Sequence, residues 1–174
     1  TLGLRNTPTA MYASFAPAFT FALVGSKLVP SGGQFLDGRA ASLEEQARAP
    51  FFAAGEMNLR SSAELSSRLA SAPYAALMME EFGPGLFADP RLVLDSTVLA
   101  IAAFERTQEF APFSSKFDNS LAGTVVLSDL EKEGLSLLGD PTKGNCSGCH
   151  AFKAAPRSAS ELLFTDFSYH NIGV

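Results

Sequence analysis

The two cysteines of this 174-residue chain stand three positions apart and are followed at once by a histidine, in the run Cys146-Ser147-Gly148-Cys149-His150. A C-x-x-C-H run is the attachment sequence of c-type haem. Two thiols on one helical turn can each form a thioether to the vinyl groups of a single porphyrin, and the adjoining imidazole then lies under the iron as its fixed axial ligand. Gly148 keeps the turn between the thiols free of bulk near the ring. Three rivals compete. A zinc site takes four ligands, and beyond the run only His170 remains, so the fourth would have to be a carboxylate. A thioredoxin-type dithiol wants a βαβ setting, and none is visible. A plain disulfide or a chance match is the third. The haem reading outweighs all three. Covalent haem of this kind implies export, so the expected compartment is periplasmic. Met11, Met57, Met78 and Met79 are candidates for the open face of the iron. A methionine there would raise the potential, but in a chain with 15 Phe it is more often core filler, and none of the four is chosen.

The bulk properties narrow the class. A net charge of -5 leaves no basic footprint for nucleic acid, and no apolar run is long enough to span a membrane. The length suits one domain or two small ones. Neither end reads as a natural terminus: the chain opens on Thr1-Leu2-Gly3-Leu4 and closes on Ile172-Gly173-Val174. The expectation is a piece of something longer, or a processed product.

Along the chain, residues 1–38 are rich in Pro, Gly, Thr, Phe and Ala and read mainly as loop, with a hairpin around Gly32-Gly33. Ser42-Leu43-Glu44-Glu45 and Ser61-Ser62-Ala63-Glu64 have the capping-box pattern and should each open a short helix. Pro50 should end the first of these or start the next element. Residues 74–82 predict a helix stopped by Gly83-Pro84-Gly85. Residues 90–108 give the strongest helix, with Leu94, Val98, Ile101 and Phe104 on one core-facing stripe. Residues 110–126 read as a linker. Ser128-Asp129-Leu130-Glu131 is a third capping box, opening a helix through Leu138 that Gly139 caps. Strand signals are weak, so the fold class is mainly α: cytochrome c-like helical domains with long loops.

Beyond the haem run, the chain resembles the bacterial dihaem cytochrome c peroxidases and the related methylamine-utilisation-type dihaem enzymes. The stretches that carry the resemblance are Arg5-Asn6-Thr7-Pro8-Thr9, Leu36-Asp37-Gly38-Arg39-Ala40 with Leu43-Glu44-Glu45-Gln46-Ala47, and Glu56-Met57. Ala103-Phe104-Glu105-Arg106-Thr107, Phe117-Asp118-Asn119-Ser120-Leu121-Ala122-Gly123, the haem run, Leu163-Phe164-Thr165-Asp166 and His170-Asn171-Ile172-Gly173 follow in the family's order. Each is weak alone; the ordered set is specific.

The resemblance implies an oxidoreductase of two domains with one haem c in each. Residues 1–122 would be the remainder of an N-terminal peroxidatic domain whose own haem motif lies upstream, and residues 123–174 the start of the C-terminal electron-entry domain. Such enzymes reduce hydrogen peroxide with electrons from a small donor protein, such as a cytochrome c or a cupredoxin. The family places a Gln and a Glu over the peroxidatic iron, matching Gln46 and Glu56; O–O cleavage needs a group to move a proton from the near to the far oxygen. Without the resemblance, Glu56 reads as a solvated charge and Gln46 as a helix-surface amide. The family also holds calcium between the domains, matching Asn6, Thr165 and Phe167, and oxygen ligands completed by water suit that ion. Asn6 alone reads equally well as a turn residue before Thr7-Pro8. His150 would ligate the haem iron, and His170 would bond near a haem propionate. Two departures stand out: Leu36 replaces the family's usual Trp between the haems, and residues 18–34 read as an insertion that reshapes the peroxide-side entrance or a homodimer surface. The alternatives are a dihaem enzyme that oxidises a partner protein, and a plain electron-transfer cytochrome.

Overall fold

The computed structural model describes residues 6–152 and 162–171, with the backbone alone at Val24. Arg5, Ile172 and Gly173, quoted above, lie outside them. The described part is mainly helical, as expected. Helix α1 (Leu43–Phe52) starts where Ser42 Oγ accepts from the Glu45 N–H at 3.2 Å, and α2 (Ser62–Ala70) where Ser61 Oγ accepts from Glu64. In both, the glutamate reaches back one residue further than a capping box requires: Glu45 to the Ala41 N–H (2.8 Å) and Glu64 to the Arg60 N–H (2.9 Å). Helix α3 (Ala75–Phe82) stops at Gly83, whose φ of 100° no side-chain-bearing residue adopts easily. Helix α4 (Pro90–Glu105) has Asp89 as its cap and Pro90 in its first turn, where a missing N–H costs nothing.

Apolar residues three and four apart build the core. Leu43, Ala47 and Phe51 of α1 are buried, as are Val93, Leu94, Val98 and Ala102 of α4. Helix α4 lies against both α1 and α2, and Ala47, Phe51, Leu59, Leu65, Leu94 and Val98 form one cluster, flanked by Leu69 and Ile101.

Several expectations are corrected. Phe104 is 54% exposed: at about 100° per residue it falls to the side of the Leu94, Val98 and Ile101 stripe, and the ring packs edge-to-face on Phe110 (4.9 Å) instead. Pro50 does not end α1, because the helix loses only the bond to the Gln46 carbonyl while buried Phe51 anchors the last turn. Residues 110–126, expected as a linker, contain a helix, α5 (Lys116–Leu121), with a reciprocal capping box between Ser115 and Asp118, an aspartate in place of the usual glutamate. Ser128 and Glu131 do form the reciprocal box that opens α6 (Asp129–Gly139), but the helix closes on Asp140 in extended backbone, not on a Gly139 cap.

The hairpin exists, with its turn elsewhere. Strands β1 (Thr20–Val24) and β2 (Lys27–Ser31) pair antiparallel with Val24 opposite Lys27, so the turn is Gly25-Ser26. Gly25 has φ +63°, the placement of glycine in a type II′ turn. Gly32 and Gly33 follow β2 and serve close approach: a Cβ on Gly33 would come 2.8 Å from the Gly38 Cα. Phe21, Leu23 and Leu28 of the hairpin are 59%, 70% and 68% exposed. Its base binds the C-terminal segment. Ser31 bridges to Ser168, the Gly32 N–H donates to the Phe167 carbonyl (2.8 Å), and Tyr169 Oη donates to the Gly32 carbonyl (2.9 Å).

The start of α1 and the end of α4 are joined by the Glu44–Arg106 ion pair at 2.7 Å. The Arg106 hydrogen bond, aided by the helix backbone, brings the Glu44 carboxyl from 4.5 to about 2. A depressed carboxyl stabilises the fold above its unfolded value and loses that contribution as pH falls through the folded one. Arg106→Leu should therefore cost about 1 kcal/mol or less at neutral pH, since the pair is partly solvated. Parent and variant should converge in urea midpoint as pH falls from 4.5 toward about 2. In the core, Leu65→Ala should cost about 2–5 kcal/mol, whereas exposed Leu130→Ala should stay within about half a kcal/mol.

Candidate functional site

The attachment run folds as a tight turn. Cys146–Gly148 form a single 3-10 turn entered through Asn145 in the left-handed region (φ 49°), and the His150 N–H closes onto the Cys146 carbonyl at 2.8 Å. Both thiols are free and exposed, and this turn packs beside α6. A Cβ on Gly144 would come 3.0 Å from the Cys146 sulfur, so glycine there leaves that thiol uncrowded. A Cβ on Gly148 would press on the Asn145 side chain at 3.1 Å, so that glycine spares the turn itself rather than space over a ring. His150 Nδ1 lies 3.2 Å from the Phe164 carbonyl. A carbonyl only accepts, so this contact puts the ring proton on Nδ1 and leaves the Nε2 lone pair for a metal. Phe164 also stacks on Phe152 (5.2 Å, 20°), and Phe117 meets both rings edge-on. A groove of about 560 Å³ runs between α6 and Phe152, its walls apolar at Leu135, Gly139 and Pro141 and polar at Lys132, Ser136 and Asp140. Two free thiols, an imidazole with its tautomer set and an apolar wall fit covalent haem. Among the described residues no group of three or more His, Cys, Asp or Glu could hold a metal ion, and His170 points to Asp166 at 2.9 Å.

The second feature lies in the helical part. A cavity of about 180 Å³ is lined by Gln46 and Pro50 of α1, Glu56 just beyond it, Glu105 at the end of α4, Gln34, Phe35 and residues 7–10. It brings together the two residues that the sequence pairs ten positions apart. Gln46 is half-buried and Glu56 exposed at the rim. Gln34 is buried and fixed, its Nε2 donating to the Ala13 carbonyl at 3.0 Å. Sequence reasoning assigned no role to Gln34, Phe35 or Glu105. Gln34 carries no motif, and Glu105 was quoted only within a family stretch. A second cavity of about 340 Å³ shares Gln34 and Phe35 and is lined further by Leu36, Phe167 and Tyr169.

The remaining site residues are scattered. Asn6 is exposed. The Phe167 N–H bonds the Thr165 hydroxyl (2.9 Å), and the Phe167 carbonyl already accepts from Gly32. Pro8 and Thr9, close to Asn6 in sequence, line the same cavity as Phe167. Asp166, on which burial acts upward, is held below the usual carboxylate range by the Ser168 N–H and by His170.

The profile of the di-haem cytochrome c peroxidases matches residues 1–125. The chain belongs to that family. The methylamine utilization protein MauG of Paracoccus denitrificans is 38% identical over 173 residues, which is 99% of this chain and 43% of MauG. MauG of Methylophilus methylotrophus is 33% identical over 98% of this chain and 42% of its own length. Among solved structures, the diheme peroxidase BthA of Burkholderia thailandensis superposes with a TM-score of 0.85 at 35% identity, over 95% of this chain and 40% of BthA. The chain thus spans less than half the length of these relatives. Family membership implies haem c, and the helical fold is that of the diheme peroxidases.

Cys149→Ala in the exported full-length protein should leave one thioether at this site and shift the pyridine haemochrome α-band to longer wavelength. His150→Ala should shift the Soret band of that haem while the thioethers remain.

Proposed function

We propose that the intact protein is a periplasmic dihaem peroxidase, reducing hydrogen peroxide to water with electrons from a small donor protein. The observation that carries this reading is the shared cavity of Gln46 and Glu56, in a chain of the di-haem cytochrome c peroxidase family. In this reading residues 1–122 belong to the peroxidatic domain, whose haem attaches upstream. Residues 123–174 open the electron-entry domain, whose haem is held by Cys146, Cys149 and His150. When bound, each haem supplies one-electron redox chemistry.

The chain's own residues then have separable tasks. Glu56 takes the proton from one peroxide oxygen and returns it to the other, making the departing oxygen a water; a rim carboxylate in contact with solvent suits a group that must change its charge. The Gln46 amide, half-buried on α1, orients the peroxide by hydrogen bonding from a rigid helix. Gln34 and Phe35 line the cavity, whose volume of about 180 Å³ suits a small substrate. At the other site, the Phe164 carbonyl holds the His150 imidazole in the tautomer that ligates iron. His170, its ring held by Asp166, would bond near a haem propionate. Calcium would draw on the Asn6 side chain and the Thr165 and Phe167 carbonyls; the common lining of Pro8, Thr9 and Phe167 supports that placement.

Oxidation of a partner protein is the second reading. The relatives named for methylamine utilization favour it, and it places different demands on the cavity, since a protein substrate cannot enter about 180 Å³. Glu56→Ala in the two-haem protein should lower kcat for peroxide by about 10²–10⁴-fold, with haem content and the Soret spectrum unchanged. Wild-type turnover in that variant would remove Glu56 from the mechanism. Slow peroxide consumption with a reduced donor, beside fast oxidation of a partner, would favour the second reading.

A further inference from the structure

The register of the hairpin gives it two unlike sides. Residues directly opposite one another point the same way, and successive pairs alternate. Phe21 with Pro30 and Leu23 with Leu28 therefore stand together, and every side chain on that side is apolar. The other side carries Thr20, Ala22, Lys27, Val29 and Ser31. Phe21, Leu23 and Leu28 are each more than half open to solvent. Two strands with nothing packed on them are marginal in water, so an all-apolar side on this hairpin calls for a cover.

Aromatic rings connect that side to the C-terminal segment. Tyr169 lies 6.3 Å from Phe19, and Phe19 meets Phe21 edge-on at 5.3 Å. The Phe19 ring is seated on Gly38, where a Cβ would come within 2.6 Å of it. The Tyr169 N–H donates to the Pro30 carbonyl at 3.1 Å, so the segment passes the foot of the apolar side. At the tip, a Cβ on Gly25 would have nothing within 4 Å. The foot is thus anchored and the rest projects.

Area separates the occupants. Four side chains fall well short of the roughly 800 Å² per partner that a lasting interface between separate molecules needs. A cover on the same chain needs less, because a short tether supplies an effective concentration on the order of millimolar. Chain for such a cover exists in the relatives, of which this one spans 43% in MauG and 40% in BthA. In the division proposed above, residues 123–174 only open the electron-entry domain, whose body follows. We propose that the apolar side of the hairpin is an interdomain clasp: Phe21, Leu23, Leu28 and Pro30 seat the part of the electron-entry domain that follows residue 174 in the same molecule. The hairpin belongs to the peroxidatic half, so the clasp fixes one half against the other. This rests on that division of the chain and is independent of the reaction. It accounts for residues 18–34 without a homodimer surface or a peroxide-side entrance.

The test places the photo-cross-linker p-benzoylphenylalanine at Leu23, and separately at Leu28, in the exported full-length two-haem protein. After irradiation, mass spectrometry of the monomer band should find it joined to a peptide beyond residue 174. In a mixture of unlabelled and heavy-nitrogen protein, each joined pair should carry a single isotope. Pairs of mixed isotope, attachment only within residues 1–174 or upstream of Thr1, or no attachment at either position would overturn the clasp. Hydroxyl-radical footprinting needs no substitution. Phe21, Leu23 and Leu28 should be oxidised several-fold more slowly in the native protein than in urea. Native rates near the 59–70% of the unfolded rates that bare side chains of this exposure give would overturn it. Mapping the haem peptides tests the premise separately. A haem peptide upstream of Thr1, beside the one holding Cys146 and Cys149, keeps the division standing even if the cross-link fails; its absence would overturn both.

Discussion

Burying one face of α4 against α1 and α2 is the constraint on which the described structure turns. Leu94 and Val98 enter the cluster with Ala47, Phe51 and Leu65, and the cavity lined by Gln46 and Glu56 follows from that packing. Gln46 belongs to the helix whose Ala47 is fixed in the cluster. Glu56 follows the turn that leads from Phe51 back to buried Leu59, where the Leu59 N–H donates to the Phe51 carbonyl at 2.8 Å. Glu105 ends the helix whose middle is locked. The cavity walls are therefore set by apolar side chains that never reach it, which is how a rigid scaffold supports polar groups at small separations.

The haem attachment region follows a different logic. Its apolar contacts are aromatic, between Phe117, Phe152 and Phe164, and its thiols face solvent. A ring system of that kind has a flat side to offer a flat cofactor, whose own surface would complete the packing. The imidazole is set by one backbone carbonyl, from Phe164 in a left-handed conformation (φ 52°). A non-glycine residue held there is over-determined by its surroundings, here by the ring stacking that keeps the same residue in place.

How much of this could be read from residues alone varied with the range of the interaction. The haem run, the three serine caps and α4 are local signals, and each appears where the sequence placed it. The pairing of Gln46 with Glu56 needed the family resemblance, because nothing in a ten-residue spacing across a helix and a loop says that both meet one cavity. Glu105 and Gln34 join them only through tertiary packing. Phe104 continued the three-and-four spacing yet left the core, since two successive three-residue steps from Val98 drift off the buried face. Helix α5 escaped because aspartate replaced glutamate in its cap. The hairpin was displaced to Gly25-Ser26 because Gly32-Gly33, the stronger turn pair, serves close packing against Gly38.

The hairpin's Pro30 has a consequence for self-association. A hairpin bearing Phe21 and Leu23 on one strand and Leu28 on the other in solvent offers the kind of edge onto which a second molecule can add strands without limit. The Pro30 carbonyl accepts from the Tyr169 N–H at 3.1 Å, so this position faces outward from the pair, and proline offers no donor there. With Ser168 bridged to Ser31 beside it, the outer edge of β2 is blocked at one end by chemistry and by its own chain. The apolar surface is thus exposed sideways but barred from templating fibres along that edge.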